Sequence, residues 1–375
     1  MATKILRRVT KRIFIVSNII IAFFFLLGCY GSWLNPSTFW FTGLFTLATF
    51  YFILLLIGFV VFWLLTKPKL MLISIVALLL AWKPLGHLIQ LRATKFSKEK
   101  QADNIRMMSW NVEHFDILEH KTHPEKKRAM VDMINEYQPD IACFQEMVGS
   151  DDHPDAINYV PDFLKWLNMP GYFYSYNKKV DFDGKHHFGL ITFSKYPIIN
   201  KQTVSFPPND YNSIFQYIDI LMGADTFRIF NLHLQSLKFS DNNLRYIDDP
   251  SLNDESDIKN SKSIISKFKT GFLKRKQQSD RIKDEMNKSP YPVIVCGDFN
   301  DVPNSYAYDR IGKGLKNAFA EKGSGIGRTF SAISPTLRID NIFVDGRFTV
   351  NQYFRVKKKL SDHFPVITDL YFKKE

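Results

Sequence analysis

The stretch VIVCGDFNDVPNS, residues 293–305, decides how the chain is read. Four apolar residues and a glycine deliver Asp298, Asn300 and Asp301 within four positions. A carboxylate at the end of a buried strand adds nothing to stability, because a buried charge costs free energy unless it is paired. Such residues stand there to hold something, provided that other strands bring partners to the same place.

Other strands do. From Asn104 onward, IRMMSWNV (105–112), IACFQE (141–146), GLITFS (189–194), SIFQYIDILM (213–222), FRIFNLHL (227–234), PVIVCGDF (292–299) and IDNIFVD (339–345) read as strands. Between the first two, Pro124 to Tyr137 has helical spacing behind an N-terminal proline, and Gly223-Ala224-Asp225 marks a hairpin. The polar segment 237–289 reads as a surface insertion: a loop through Asp257, then an amphipathic helix. Strands with interposed helices and a hairpin imply an α/β fold with mixed sheets.

Most of these strands end alike. SWNVE presents Asn111 and Glu113, CFQE presents Glu146, and FNLHLQS presents Asn231 and His233. RIDNIF adds Asp340, and LSDHFPV adds Asp362 and His363. Each alone has an ordinary structural explanation. Their recurrence points elsewhere, because strand ends in α/β proteins converge on one crevice. Several carboxylates gathered there repel one another unless a cation sits among them. Hard oxygen donors with few nitrogens fit magnesium or manganese better than zinc. The two histidines supply groups that titrate near neutral pH.

The first hundred residues belong to a different solvent. Ile13 to Ser32 and Phe39 to Thr66 carry no charge, and each is long enough to cross a bilayer. This double run does not fit a secretory signal, which has one shorter apolar core and a cleavage site. Leu70 to Leu91 is expected as a third span, interrupted by Lys83 and Pro84 near one end. The domain expectation is therefore an anchor over 1–100, with spans near 13–32, 39–66 and 70–91, and a catalytic domain over 101–375. Lys4, Arg7, Arg8, Lys11 and Arg12, with Lys67 and Lys69, place the N-terminus in the cytoplasm, and three spans then export the domain. Arg92, Lys95, Lys98 and Lys100 just beyond the third segment pull the other way.

The formal charge of +12 is not spread evenly. Residues 1–100 hold twelve Lys and Arg and one acid, leaving 37 basic and 36 acidic groups in the other 275 residues. A soluble part at +1 lacks the electrostatic footprint of a general duplex-DNA binder. Cys29, Cys143 and Cys296 lie in apolar runs and offer neither a disulfide framework nor a zinc spacing.

SWNVE, FQE, GLITFSKYPI, NLH, GDFND, RIDNIF and SDHFPV, in this order over 105–367, resemble the endonuclease/exonuclease/phosphatase superfamily with the deoxyribonuclease-I-like fold. The N-terminal spans resemble those of membrane-tethered bacterial members. The resemblance implies a four-layer α/β sandwich with two mixed sheets face to face in a bacterial membrane protein, and the three-span topology then puts the catalytic domain on the periplasmic side of the inner membrane. It implies that Glu146 is the principal ligand of Mg2+ or Mn2+, with Asn111, Asp362 and Glu113 in the metal-contacting set. Asp298 and Asn300 match the pair that contacts the scissile phosphate and the attacking water. His233 matches the histidine on the departing side. His363 matches the one that activates water or steadies the phosphoryl oxygens, oriented by Asp340.

The implied reaction is metal-dependent hydrolysis of a phosphate ester, most simply a phosphodiester. The substrate stays open between nucleic acid and a phospholipid of the bilayer that holds the anchor. The aromatic run Tyr172–Tyr176 suits a lipid, a stacked base or a plain strand face. The GDLNYR and CDRIL strings of the inositol-polyphosphate branch are absent. A phosphomonoesterase and a catalytically silent membrane scaffold are the alternatives.

Overall fold

A computed structural model describes residues 2–92, 96–115, 123–150, 156–178, 184–206, 214–249 and 255–373. Lys95, Ser213 and residues 250–254 of the expected surface loop lie outside these.

The N-terminal part is helical. α1 (Ala2–Tyr30) and α3 (Thr42–Thr66) are joined through the single-turn α2 (Pro36–Phe39). The stretches Ile5–Trp33 and Thr42–Thr66 are long and apolar enough to cross a membrane. Their outer faces expose Ile19, Phe23, Leu54 and Leu65, which suits lipid rather than water. α1 and α3 approach so closely that a Cβ on Gly28 would stand 2.4 Å from the Phe45 carbonyl oxygen. Small residues permit this kind of contact between apolar helices.

The expected third segment is not one straight helix. α4 (Leu72–Leu80) and α5 (Trp82–Leu88) meet at a 67° bend, and together the pair is apolar enough for one more crossing. Pro84 has no N–H for the Leu80 carbonyl four residues back. Tyr30 Oη donates to that carbonyl instead, at 2.6 Å.

The remaining strands, in chain order, are β1 (Asn104–Asn111), β2 (Ile141–Ser150), β3 (Gly171–Tyr176), β4 (His186–Ser194), β5 (Ile198–Ser205), β6 (Ile214–Met222), β7 (Asp225–His233), β8 (Val293–Asp298), β9 (Lys316–Asn317), β10 (Asp340–Val344), β11 (Phe348–Arg355) and β12 (Val366–Phe372). One sheet has the order β11-β12-β1-β2-β4-β3, and the other β5-β6-β7-β8-β10-β9. Each contains one parallel pair, β1 with β2 and β7 with β8. A parallel pair needs a crossover, which is usually helical. α6 (Pro124–Tyr137) supplies the first crossover. α8 (Asp241–Asp248) and the 33-residue α9 (Glu255–Asn287) supply the second. This corrects the reading of 237–289 as a solvated insertion. Its first half also holds a helix, started by a Ser240–Asn243 capping box.

Ile105, Met107, Ile141 and Cys143 of one sheet meet Ile218, Phe227, Ile229, Ile294 and Cys296 of the other. Outside the first sheet, Met130 and Ile134 of α6 and Phe163 of α7 (Val160–Leu167) cover Met108, Trp110 and Phe144. Outside the second, Ile282 and Met286 of α9 and Ile311 of α10 (Tyr306–Gly312) cover Phe215, Phe230 and Val295. The short α11 (Ala318–Lys322) adds Phe319 to the inter-sheet core. This is the expected four-layer α/β sandwich with two mixed sheets. Strands covered on both sides read as continuous apolar runs. All three cysteines are free and buried.

Each sheet also buries one bidentate ion pair. Arg106 grips Asp369 at 2.7 and 2.8 Å, and Arg228 grips Asp219 at 2.7 Å through both nitrogens. Removing one partner leaves an uncompensated charge in a dry place, which costs about 3–5 kcal/mol. Asp369→Ala should therefore lower the unfolding free energy by about that amount, read from denaturant titration of the detergent-solubilised protein. A loss below about 1 kcal/mol would mean that water reaches Arg106.

Candidate active site

Asp298 ends β8, whose six residues are all buried. The preceding Gly297 has φ +139, and a Cβ there would stand 2.0 Å from the Leu232 carbonyl oxygen, so only glycine fits between β7 and β8. Past the strand end the chain turns through Asn300, at φ +49. Asp298 Oδ1 accepts the Asn300 N–H at 2.7 Å, and Asn300 Nδ2 donates to Leu234 O at 2.9 Å.

Three other segments converge on Asp298 Oδ2. Asn111 at the end of β1 donates to it from 3.2 Å, and Asn300 Nδ2 is also 3.2 Å away. His233 Nε2, ending β7, is at 3.5 Å, and His363 Nε2 is at 3.6 Å. Asp340, the first residue of β10, takes the other side of His363, whose Nδ1 donates to Asp340 Oδ2 at 2.9 Å. The His363 turn is itself fixed by β1: Trp110 Nε1 donates to His363 O, and Ser361 Oγ donates to Asn111 O.

Glu146 joins from β2 through a β-bulge. Pairing with β4 slips between Phe144 and Met147, and Glu146 takes φ +57. A bulge re-aims a side chain that would otherwise follow the sheet alternation. Glu146 Oε1 accepts from Asn111 Nδ2 at 3.3 Å and lies 3.7 Å from His233 Nε2. His114, which the sequence reading did not single out, stands 3.3 Å from Glu146 Oε2. Its signal was its place directly after SWNVE.

Glu113 and Asp362 sit at the rim. Glu113 Oε2 accepts the Asp362 N–H at 3.0 Å, so it braces the His363 turn. Asp362 Oδ1 is 3.9 Å from His363 Nε2, and its side chain is partly exposed. Asn231 lies apart from the site: it donates to the Phe144 and Ile191 carbonyls and accepts from Gln145, pinning one sheet to the other. Tyr172–Tyr176 falls in β3, an edge strand, where Tyr174 Oη donates to the Met147 and His187 carbonyls.

The charges are strongly shaped by burial. Glu146 is pushed up to about 7 by burial and then by the Asp362 carboxylate. Asp298 is also raised by burial, against the pull of His363. Burial drives His233 and His114 down to about 4, so both are neutral at pH 7. Burial opposes the imidazolium of His363 too, yet Asp340 and Asp298 outweigh it and hold that group well above its usual value. The site thus keeps one neutral and one charged histidine on either side of Asp298.

Crowded buried carboxylates fit a hard divalent cation. Glu146, Asp298 and Asp362 offer the carboxylate oxygens, while Asn111 turns Nδ2 to Glu146 and Asp298 and accepts the Glu113 N–H at Oδ1, and a cation would relieve the repulsion that adds to burial in raising Glu146. Asp298, Asp340 and His363 also bring ligand atoms within 4.8 Å of one another. In that trio His363 Nδ1 is committed to Asp340, so a hydrogen-bonded dyad explains them better than a cation cage. Asp340 Oδ1 is a buried oxygen with no hydrogen-bond partner among the described residues, a mark of a site that expects another group.

Comparison with known proteins decides the lineage. A family model described as the Endonuclease/Exonuclease/phosphatase family matches residues 108–363. The chain belongs to that family. Family members are phosphoester hydrolases that generally use divalent metals. A second model, described only as a domain of unknown function, matches residues 11–88. The family's structure from Bacteroides vulgatus is 18% identical, covering 72% of this chain and 99% of its own, with a TM-score of 0.53. Truncated TDP2 from Caenorhabditis elegans is 16% identical, covering 73% of this chain and 100% of its own, with a TM-score of 0.50. The CCR4-Not complex 3'-5'-exoribonuclease subunit Ccr4 of Schizosaccharomyces pombe is 23% identical over 228 residues. That alignment takes in 50% of this chain but only 30% of Ccr4.

The Asp340–His363 pair makes a direct test. In metal-free protein with labelled histidines, Asp340→Asn should lower the NMR titration midpoint of His363, because the charge that favours its imidazolium is gone. An unmoved midpoint would mean that Asp298 alone holds the proton there.

Proposed function

We propose that the chain is a membrane-anchored, divalent-metal-dependent phosphodiesterase, with residues 1–100 as the anchor and 101–375 as the catalytic domain. One observation carries this reading: Asp298 is surrounded at 3.2–3.6 Å by Asn111, Asn300, neutral His233 and charged His363, with the raised carboxylate of Glu146 beside them.

Glu146, with Asn111 beside it, would hold Mg2+ or Mn2+, which would supply Lewis-acid neutralisation of a phosphoryl oxygen. Asp298 and Asn300 would position water in line with the scissile bond. Water oxygen bonds to phosphorus, the P–O bond to the leaving group breaks, and the proton released by water ends on the leaving oxygen. His363, charged because of Asp340, steadies the phosphoryl oxygens, while neutral His233 lies on the other side of Asp298. Preorganised charges of this kind act where negative charge develops in the transition state.

The placement of the anchor favours an extracytoplasmic domain on an inner membrane. Ser32, just past α1, hydrogen-bonds Asp309, so the catalytic domain meets α1 at the end away from Lys4–Arg12. With those basic residues in the cytoplasm, the site lies on the periplasmic side.

Full-length protein in detergent should hydrolyse bis-p-nitrophenyl phosphate with Mg2+ or Mn2+ and stop with EDTA. Glu146→Gln, Asp298→Asn and His363→Ala should each lower the rate by about 10²–10⁴-fold with the fold intact by circular dichroism. A wild-type protein inert with every divalent metal would leave the silent scaffold standing.

A further inference from the structure

The edge of the sandwich that carries the site is also the edge turned toward the helical anchor. Six residues past Asp298, Asn304 donates Nδ2 to Pro84 O at 3.1 Å, and its Oδ1 lies 3.0 Å from His87 Nδ1. Two residues before Asp340, Arg338 donates to the carbonyls of His87 and Leu88 at the end of α5. The ends of β8 and β10 that hold the catalytic candidates therefore lead directly onto the apolar helices.

The loop between Thr329 and Leu337 extends this contact. At its start the Phe330 ring lies 5.0 Å from the His363 ring, and the Ser331 N–H donates to Asp362 O at 2.7 Å. Further on, Ser334 Oγ is 3.0 Å from Tyr51 Oη, well inside the apolar helix α3. Four residues of chain reach at most about 14 Å. The site rim and the flank of a membrane-type helix are thus ends of one short loop. Between them stands Ile333, 45% exposed and at φ +62, an uncommon backbone for a β-branched residue. Arg328, which donates to Phe330 O at 2.6 Å, adds a cation beside the same loop.

We propose that this loop is a bilayer-inserting wedge, with Ile333 as its apolar tip, and that the site takes a phosphodiester carried on a lipid headgroup in the same membrane. The substrate assignment rests on the phosphodiesterase reading above. A strand of nucleic acid would meet a site edge flanked by α5, on a domain with almost no net charge to attract it. A lipid headgroup needs neither long reach nor steering, because the anchor already holds the enzyme at its surface.

Wild type and Ile333→Glu, each as the full chain in nanodiscs of phosphatidylethanolamine and phosphatidylglycerol, separate these readings. Both should cleave soluble bis-p-nitrophenyl phosphate equally, while the variant releases headgroup products at least tenfold more slowly. Equal lipid rates, or a wild type that cleaves RNA or single-stranded DNA but no nanodisc lipid, would overturn the proposal. A wild type that cleaves nothing would sink the phosphodiesterase reading and the substrate assignment with it. The wedge is then decided separately by an Ile333→Cys label, whose competing thiols Cys29, Cys143 and Cys296 are all buried. Quenching by lipids spin-labelled on the upper acyl chain is expected. Quenching by aqueous iodide alone would place the loop in water.

Discussion

The structure turns on one carboxylate held where both sheets end. Asp298 leaves β8 of one sheet, and its nearest partners come from both: Asn111 and His363 from the first, His233 from the second. A buried carboxylate is costly unless nitrogen donors surround it. Those donors reach it only because the inter-sheet core fixes the distance between the layers. The apolar packing of Met107 and Cys143 on Ile229 and Cys296 is therefore a condition of the site as well as of the fold.

Polar groups between the sheets make that spacing specific. Asn231 reaches across to the Phe144 and Ile191 carbonyls, and Gln145 donates to its Oδ1 at 2.7 Å. These bonds are directional where hydrophobic contact is not, so they tie the register of β7 to that of β2. His233 sits two residues from Asn231, and Glu146 one residue from Gln145. A shift in this pin would move a histidine and a carboxylate apart at once.

The helical anchor is joined to the site edge by more than a linker. Arg338 is fully buried, stacks 3.8 Å over the Phe319 ring and donates from its two Nη atoms to carbonyls of α5 and of Ile326. It stands two residues from Asp340, and Asn304 ties the other flank of the site to α5. Displacing the bent helix pair would thus strain β8 and β10, two of the strands that carry catalytic candidates, giving the anchor a structural hold on the site.

The sequence by itself determined the α/β class, the apolar helices and the set of polar residues at strand ends, because each is written in local pattern. Alternating or continuous apolar runs ending in Asn111, Glu146, His233 and Asp298, and one opening on Asp340, are visible without a fold. Other features were decided only in three dimensions. The crossover nature of 237–289 depends on which strands pair in parallel, a non-local choice that composition does not record. At the bend the Leu80 carbonyl finds its partner in Tyr30, fifty residues away. Glu113 and Glu146 look alike in sequence, yet a bulge aims one into the cluster while the other braces a turn. The different charge states of His233 and His363 follow from what surrounds each ring, since burial governs one and Asp340 the other.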